Sequence, residues 1–183
     1  MTKNNVLTDS RRAFSVVDLE NLCGGSHKVG TYGRMTRNWV SQVTKMMGYC
    51  RPSAQVTAVG VNALDQDLHL PTYWHDSEFR VGYGLDGADR QLLDVLRTDQ
   101  RIERCDELLL FSGDHCFTEQ VNRLRKKGIT VTAISWNGSM SFELERAATR
   151  AFKFELPKYC PIQPNKQSQT WRTPSSTLAH AAA

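Results

Sequence analysis

Along this chain, apolar residues fall into short continuous runs, separated by stretches in which they recur every three or four positions. Residues 13–17 (AFSVV) form a β-branched run closed by Asp18, the pattern of a buried strand. The segment CGGSHKVGTYG that follows is glycine-rich, lacks periodicity and predicts a loop. Over 34–48, Met35, Trp39, Val43 and Met46 are spaced four, four and three residues apart, which places them on one helical face. VTAVGV (56–61) predicts a second buried strand, and Pro71 argues against any long element in 62–78. A short strand over 79–82 then leads through GLDGAD into a helix carrying Leu92, Leu93 and Leu96.

ELLLFS (107–112) is the clearest strand in the sequence. It passes through Gly113-Asp114 into a helix with Phe117, Val121 and Leu124 inward and Arg123, Arg125, Lys126 and Lys127 largely outward. Gly128 ends that helix, ITVTAIS (129–135) predicts another strand, a last helix starts near Ser141, and FKFEL (152–156) adds an edge strand. From Pro157 onward Pro, Ser, Thr and Gln dominate, which predicts a disordered tail over 157–183 and a folded domain over 13–156. Strands that are continuous apolar runs alternating with helices predict an α/β fold, a parallel sheet covered on both faces. Ligands of such sheets bind beyond the carboxyl ends of the strands, near a reversal of strand order.

Composition narrows the function classes. The 183 residues carry a formal charge of +4, but no Asp or Glu follows Glu155, while Lys158, Lys166 and Arg172 do. Residues 1–156 therefore hold 20 basic and 19 acidic side chains, so any nucleic-acid contact must come from local sites. No apolar run approaches the ~20 residues of a membrane span, and the polar opening MTKNNVLTDSRR lacks the apolar core of a secretory signal. Five scattered cysteines without a CxxC pair suit a reduced, cytoplasmic protein. A zinc site from Cys23, His27, His115 and Cys116 lacks the paired spacing such sites use.

The residues that follow the strands are acids: Asp18 and Glu20 after the first, Asp86 and Asp89 after the third, Asp114 after the fourth. Carboxylates gathered on one edge raise each other's pKa unless a hard cation neutralises them, and Mg²⁺ or Mn²⁺ suits an all-oxygen site. Structural roles compete with this reading. Asp86 and Asp114 stand where helix caps are expected, and Asp89 sits in a favourable first turn. Asp18, by contrast, closes an apolar run without an evident helix to cap. Gly82-Tyr83-Gly84-Leu85-Asp86-Gly87 spells GxGxxG, yet it follows the third strand, and Asp86 and Asp89 bring negative charge where a pyrophosphate would sit. Asp18-Leu19-Glu20 could mimic an aspartyl nucleophile pair of a phosphatase, but no downstream lysine motif supports it.

Val17-Asp18-Leu19-Glu20-Asn21-Leu22, Gly87-Ala88-Asp89-Arg90-Gln91-Leu92 and Phe111-Ser112-Gly113-Asp114 with Phe117 resemble the NYN domain family of PIN-like nucleases, closest to its actinobacterial-type members. Ser141, Leu144, Ala147-Ala148 and Phe152 match the pattern of that family's last helix, so the resemblance spans 13–156. It implies a three-layer α/β/α fold with a central parallel sheet and divalent-metal-dependent RNA cleavage. By the same resemblance, Asp18, Asp89 and Asp114 are the catalytic, metal-binding acids, Asn21 orients a ligand or water, and Ser112 lines the same edge. Asp86 stands where many members have Lys, and adds an acid that is either an outer metal ligand or only a cap. Cys116 departs from the family, which commonly carries a second acid there, and this leaves the number of metals and catalysis itself open.

The expected chemistry is hydrolysis of a phosphodiester by a metal-activated water, giving 5′-phosphate and 3′-hydroxyl ends. Lys28 and Arg34, in the glycine-rich segment with His27 and Tyr32, are candidate contacts to single-stranded RNA, and Arg123 to Lys127 offers a basic helix face. Solvation alone also accounts for an exposed basic face. Trp39 reads as core, Trp136 as an aromatic at the active-site edge, and His115 as the start of a helix; Trp171-Arg172 in the tail reads equally as linker. Two other functions stay open: a catalytically silent module that binds RNA or protein, and a nuclease toxin with an antitoxin-like partner. A homodimer is equally compatible with the sequence.

Overall fold

The computed structural model describes residues 12–49 and 52–156. The six expected strands are present: β1 (Ala13–Asp18), β2 (Ala54–Gly60), β3 (Glu78–Gly82), β4 (Glu107–Phe111), β5 (Thr130–Trp136) and β6 (Arg150–Phe154). They form one sheet in the order β3-β2-β1-β4-β5-β6, and every neighbouring pair is parallel. The order reverses between β1 and β4, so the crevice at the carboxyl ends of these two strands is the switch point of the sheet. The expected tail over 157–183, with Trp171 and Arg172, lies outside the described residues.

Among the described residues eight α-helices cover the sheet: α1 (Leu19–Cys23), α2 (Val29–Met46), α3 (Val61–Leu64) and α4 (Leu70–Tyr73), then α5 (Gly87–Thr98), α6 (Gln100–Glu103), α7 (Thr118–Lys126) and α8 (Phe142–Ala147). The strands' alternating side chains sort them into two layers. Val17, Val59, Leu109, Phe111 and Ile134 pack against Leu22, Trp39, Val43, Ala63 and Leu70 of α1 to α4. Phe14, Val16, Val56, Leu108, Leu110 and Val131 face Leu92, Leu96, Ile102, Val121 and Leu144 of α5 to α8. This is a three-layer α/β/α fold, and its handed crossovers place the first four helices on one face and the last four on the other.

The glycine-rich segment behaves differently from the expected loop. After a 3₁₀ turn over Ser26–Lys28, α2 already begins at Val29 and includes Gly30 and Gly33. A Cβ on Gly33 would stand 2.6 Å from Leu70 Cδ2, so the missing side chain lets α2 lie close against α4. Close packing outweighs the poor helix propensity of glycine here. The buried face of α2 runs through Val29, Tyr32, Trp39, Val40 and Val43, whereas Met35 and Met46 are each 53% exposed. Segment 62–78 holds α3 and α4, with Pro71 in the first turn of α4, where its missing N–H costs nothing.

Trp136 is also core. Its ring lies 4.0 Å from that of Trp39, which meets Phe111 and Phe154 edge-on, and its Nε1–H donates to Leu22 O at 2.7 Å. At the opposite edge of the sheet Glu107 is buried at the start of β4. It accepts from Tyr49 Oη at 2.6 Å and Thr132 Oγ1 at 2.5 Å and pairs with Arg150. Burial pushes this carboxyl up, but the three donors outweigh it and hold Glu107 below the usual range.

Glu107→Ala is expected to cost about 1–3 kcal/mol, because the hydroxyls of Tyr49 and Thr132 lose a buried acceptor, while the half-exposed Arg150 is solvated. Urea unfolding at neutral pH measures this. The Glu107 contribution is present above the unfolded-state pKa and is lost as the pH falls through the depressed folded value, so the gap between wild type and variant closes in acid.

Candidate functional site

The carboxyl edge of the sheet collects the acids from three elements. Asp18 ends β1 and, contrary to expectation, caps a helix: its Oδ1 accepts from Asn21 N in the first turn of α1 at 3.1 Å. The short α1 escapes sequence recognition because five residues carry no helical period. Asp18 Oδ2 accepts from Ser112 Oγ at 2.8 Å across the β1–β4 boundary, and the same Ser112 oxygen accepts from Asp114 N at 3.1 Å. Asn21 Oδ1 accepts from Gly113 N at 2.9 Å, a second bridge across the same boundary. Asp114 caps the turn that follows, accepting from Cys116 N at 2.8 Å, and meets His115 Nδ1 at 3.1 Å.

Asp89 arrives from the far side of the sheet, in the first turn of α5. Two glycines make this approach feasible. A Cβ on Gly82 would lie 2.0 Å from the carbonyl carbon of Gly87, and one on Gly87 would lie 2.7 Å from that of Gly82. The GxGxxG string is thus a backbone crossing that folds α5 back onto the end of β3. Gly113 is equally confined, its Cβ position falling 2.1 Å from Ser139 O. Asp89, Asp114 and Cys116 each present a ligand atom within 4.8 Å of the others. Asp18 lies behind them, 2% exposed.

The electrostatics are those of an unneutralised anion cluster. Burial, then the charge of Asp89 and more weakly that of Asp114, push Asp18 from 3.8 to about 7, against the hydrogen bonds from Asn21 and Ser112. Asp89 rises to about 6 through burial and the charges of Asp114, Asp86 and Glu20. The Cys116 thiol is pushed up strongly by burial and by Asp89 and Asp114. Among the described residues no Lys or Arg forms an ion pair with Asp18, Asp89 or Asp114, and the mostly exposed His115 is the basic side chain that touches Asp114. Two carboxylates and a thiol converging without a neutralising Lys or Arg fit a divalent ion in donor type and spacing.

The other expected residues are placed less centrally. Asp86 is exposed, caps nothing with its side chain and takes a left-handed φ of 52°, and it lies outside the converging trio. Ser112 is fully buried, so it positions Asp18 and does not line a substrate surface. Asn21 directs its oxygen to Gly113 rather than into the site. Lys28 ends the 3₁₀ turn after α1, and Arg34 lies over the ring of Tyr73 on the flank of α2. The basic face of α7 points away from the acids toward the opposite edge. There Arg123 donates to Leu96 O, Arg125 to Ala147 O, and Lys127 pairs with Glu103.

Three features were not apparent from the sequence. Glu20 Oε1 accepts from Gly60 N at 2.6 Å and ties α1 to the end of β2. A cleft of about 440 Å³ opens beside Asp89 between Glu20, Asn62, Leu85 and Asp86. On its rim side the β3–α5 loop exposes Tyr83 (71%) and Leu85 (86%), large apolar groups that a folding argument would bury. No helix among the described residues is long and apolar enough to cross a membrane.

No protein-family model matches the chain, and no curated protein matches it. Its fold is similar to the crystal structure of a protein of unknown function from Vibrio parahaemolyticus, with a TM-score of 0.55 and 14% identity over 80% of this chain and 94% of that one. At that identity the likeness shows the fold.

The pH dependence of stability follows from the raised acids. A carboxyl whose folded pKa lies above its unfolded value takes up its proton more readily in the folded state, so stability rises as the pH falls through the folded pKa. Thermal melts of the metal-free protein are expected to shift upward from about pH 8 to about pH 5. Asp89→Asn should raise the melting temperature at pH 8, by about 2–4 °C per kcal/mol of repulsion relieved, and flatten the dependence. A lower melting temperature for that variant at pH 8 contradicts the assignment.

Proposed function

We propose that the chain is a divalent-metal-dependent endoribonuclease of the NYN, PIN-like type, hydrolysing phosphodiester bonds of single-stranded RNA in the cytoplasm. One observation carries this reading: Asp18, Asp89 and Asp114, from three separate elements, gather at the switch point of the sheet, and among the described residues no Lys or Arg pairs with them. Asp89 and Asp114 would hold Mg²⁺ or Mn²⁺, with Asp18 supporting from the buried side. When bound, the ion supplies Lewis acidity at the phosphodiester and an activated water.

The chain's own groups do the positioning. Ser112 fixes the Asp18 carboxylate by donating to Oδ2, and its acceptor side holds the Asp114 backbone, so the two acids keep one relative placement. Asn21 locks the turn at Gly113. Exposed Tyr83 and Leu85 offer flat apolar surface to unpaired bases, which favours single-stranded over duplex substrate. Lys28 and Arg34 are the phosphate contacts of this reading, and Asp86 adds outer negative charge.

The test is cleavage of an end-labelled single-stranded RNA in Mn²⁺, Mg²⁺ or EDTA by wild type and Asp114→Asn. Metal-dependent cutting with 5′-phosphate ends, reduced by roughly 100-fold or more in the variant, is expected. Circular dichroism should show both proteins folded. RNA retained in EDTA without any cutting would instead identify a binding module.

A further inference from the structure

The trio of donors is not uniform. Two are carboxylate oxygens and the third is the Sγ of Cys116, with all three ligand atoms within 4.8 Å of one another. Two donors on opposite sides of one ion, each at about 2.0–2.3 Å, stand about 4.0–4.6 Å apart, close to that limit. The placement of the sulfur is enforced locally. Cys116 N donates to Asp114 Oδ1, which fixes the turn and sets the thiol beside the same carboxylate. The other described cysteines have structural surroundings: Cys23 Sγ lies 3.3 Å from Thr36 Oγ1 in the core, and Cys105 Sγ donates to Ile102 O at 3.0 Å. Cys116 is the described cysteine that faces the acids, and it is partly exposed.

We propose that Cys116 is a direct ligand of the cation held by Asp89 and Asp114, and that its sulfur shifts the site from Mg²⁺ toward thiophilic first-row ions of the Co²⁺ and Zn²⁺ class. This rests on the metal-dependent reading of the same site. The chemistry is a preference of donor atoms. Mg²⁺ takes oxygen ligands in near-octahedral geometry and gives up water reluctantly, so a sulfur in its shell is a poor exchange for a water. Thiolates favour later first-row ions, whose affinities for mixed oxygen and sulfur sites rise along the Irving–Williams order. On binding, the S–H bond breaks, its proton passes to solvent, a water leaves the ion and a sulfur–metal bond forms. No electron is transferred, and the thiol is not oxidised.

The experiment titrates the full, reduced, metal-free chain with Co²⁺ and follows the near-ultraviolet thiolate-to-cobalt charge-transfer band, then displaces Co²⁺ with Mg²⁺ or Zn²⁺. Cys116→Ser, Cys116→Asp and Asp114→Asn are measured alongside, with thermal melts to verify that each is folded. Wild type is expected to show the band, and both Cys116 variants to lack it. Loss of a supporting group alone costs about 10–100-fold in metal affinity, so Cys116→Ser should weaken Co²⁺ binding by about 100-fold or more. Cys116→Asp should narrow the Co²⁺ to Mg²⁺ ratio by about tenfold or more, and it tests the same point if the serine variant fails to fold. Co²⁺ binding that is lost in Asp114→Asn, but shows no sulfur band or is unaffected by Cys116→Ser, overturns the thiolate ligand and leaves the metal-dependent reading standing. A band that persists in Cys116→Ser also overturns it. Failure of wild type to bind any divalent ion overturns both.

Discussion

The hydrogen bond from Ser112 Oγ to Asp18 Oδ2 joins the two central strands at the point where the sheet changes direction. It is the constraint on which the rest of the carboxyl edge depends. A carboxylate that is 2% exposed needs partners, and Asp18 has two: a hydroxyl from the neighbouring strand and the backbone of its own short helix. Because Ser112 also receives the Asp114 N–H, the position of the first acid dictates that of the third. Asn21 repeats the linkage one residue along, through Gly113. The second acid, Asp89, joins this fixed pair through a helix pressed back by the crossing of Gly82 and Gly87.

This edge is arranged against stability while the opposite edge is arranged for it. Glu107, buried at the start of the same β4, has a guanidinium and two hydroxyls and titrates low. Asp18, at the end of the adjacent β1, is raised to about 7 by burial first and by the charges of Asp89 and Asp114 after it. Burial raises both acids; at Glu107 three donors outweigh it, while at Asp18 it prevails and the neighbouring carboxylates add to it. The described residues neutralise one buried acid thoroughly and give the other cluster no Lys or Arg partner, and functional sites are where such imbalance is found.

Much of the architecture was legible because parallel strands buried on both faces are continuous apolar runs, and all six strands fall where such runs or the final aromatic segment stand. Acids at the ends of β1 and β4 and at the start of α5 were legible for the same reason: once the strands are known, the residues after them are known. What was hidden depended on contacts between distant segments. Gly30 and Gly33 read as loop residues until Gln66 and Leu70 are seen against them. Trp136 reads as an edge aromatic until Trp39 and the Leu22 carbonyl enclose it. Ser112 closes a predicted strand and reads as lining the site's edge, and only the contact with Asp18 reveals that it is buried. The basic residues of α7 read as a surface for polyanions, yet Arg123 and Arg125 close the carbonyl ends of two other helices.

The strand order has a consequence for the nascent chain. β1 is made first but lies in the middle of the sheet, and its partner on one side, β4, is separated from it by 94 positions at the Ser112–Asp18 contact. Pairing so distant in sequence is slow to form and cannot begin on the ribosome until β4 has emerged. Throughout that interval Asp18 lacks the hydroxyl of Ser112, and Asp89 has neither Asp114 nor Cys116 opposite it. The cluster is therefore assembled late and all at once, when β4 docks beside β1 and brings Asp114 and Cys116 to the acids already made.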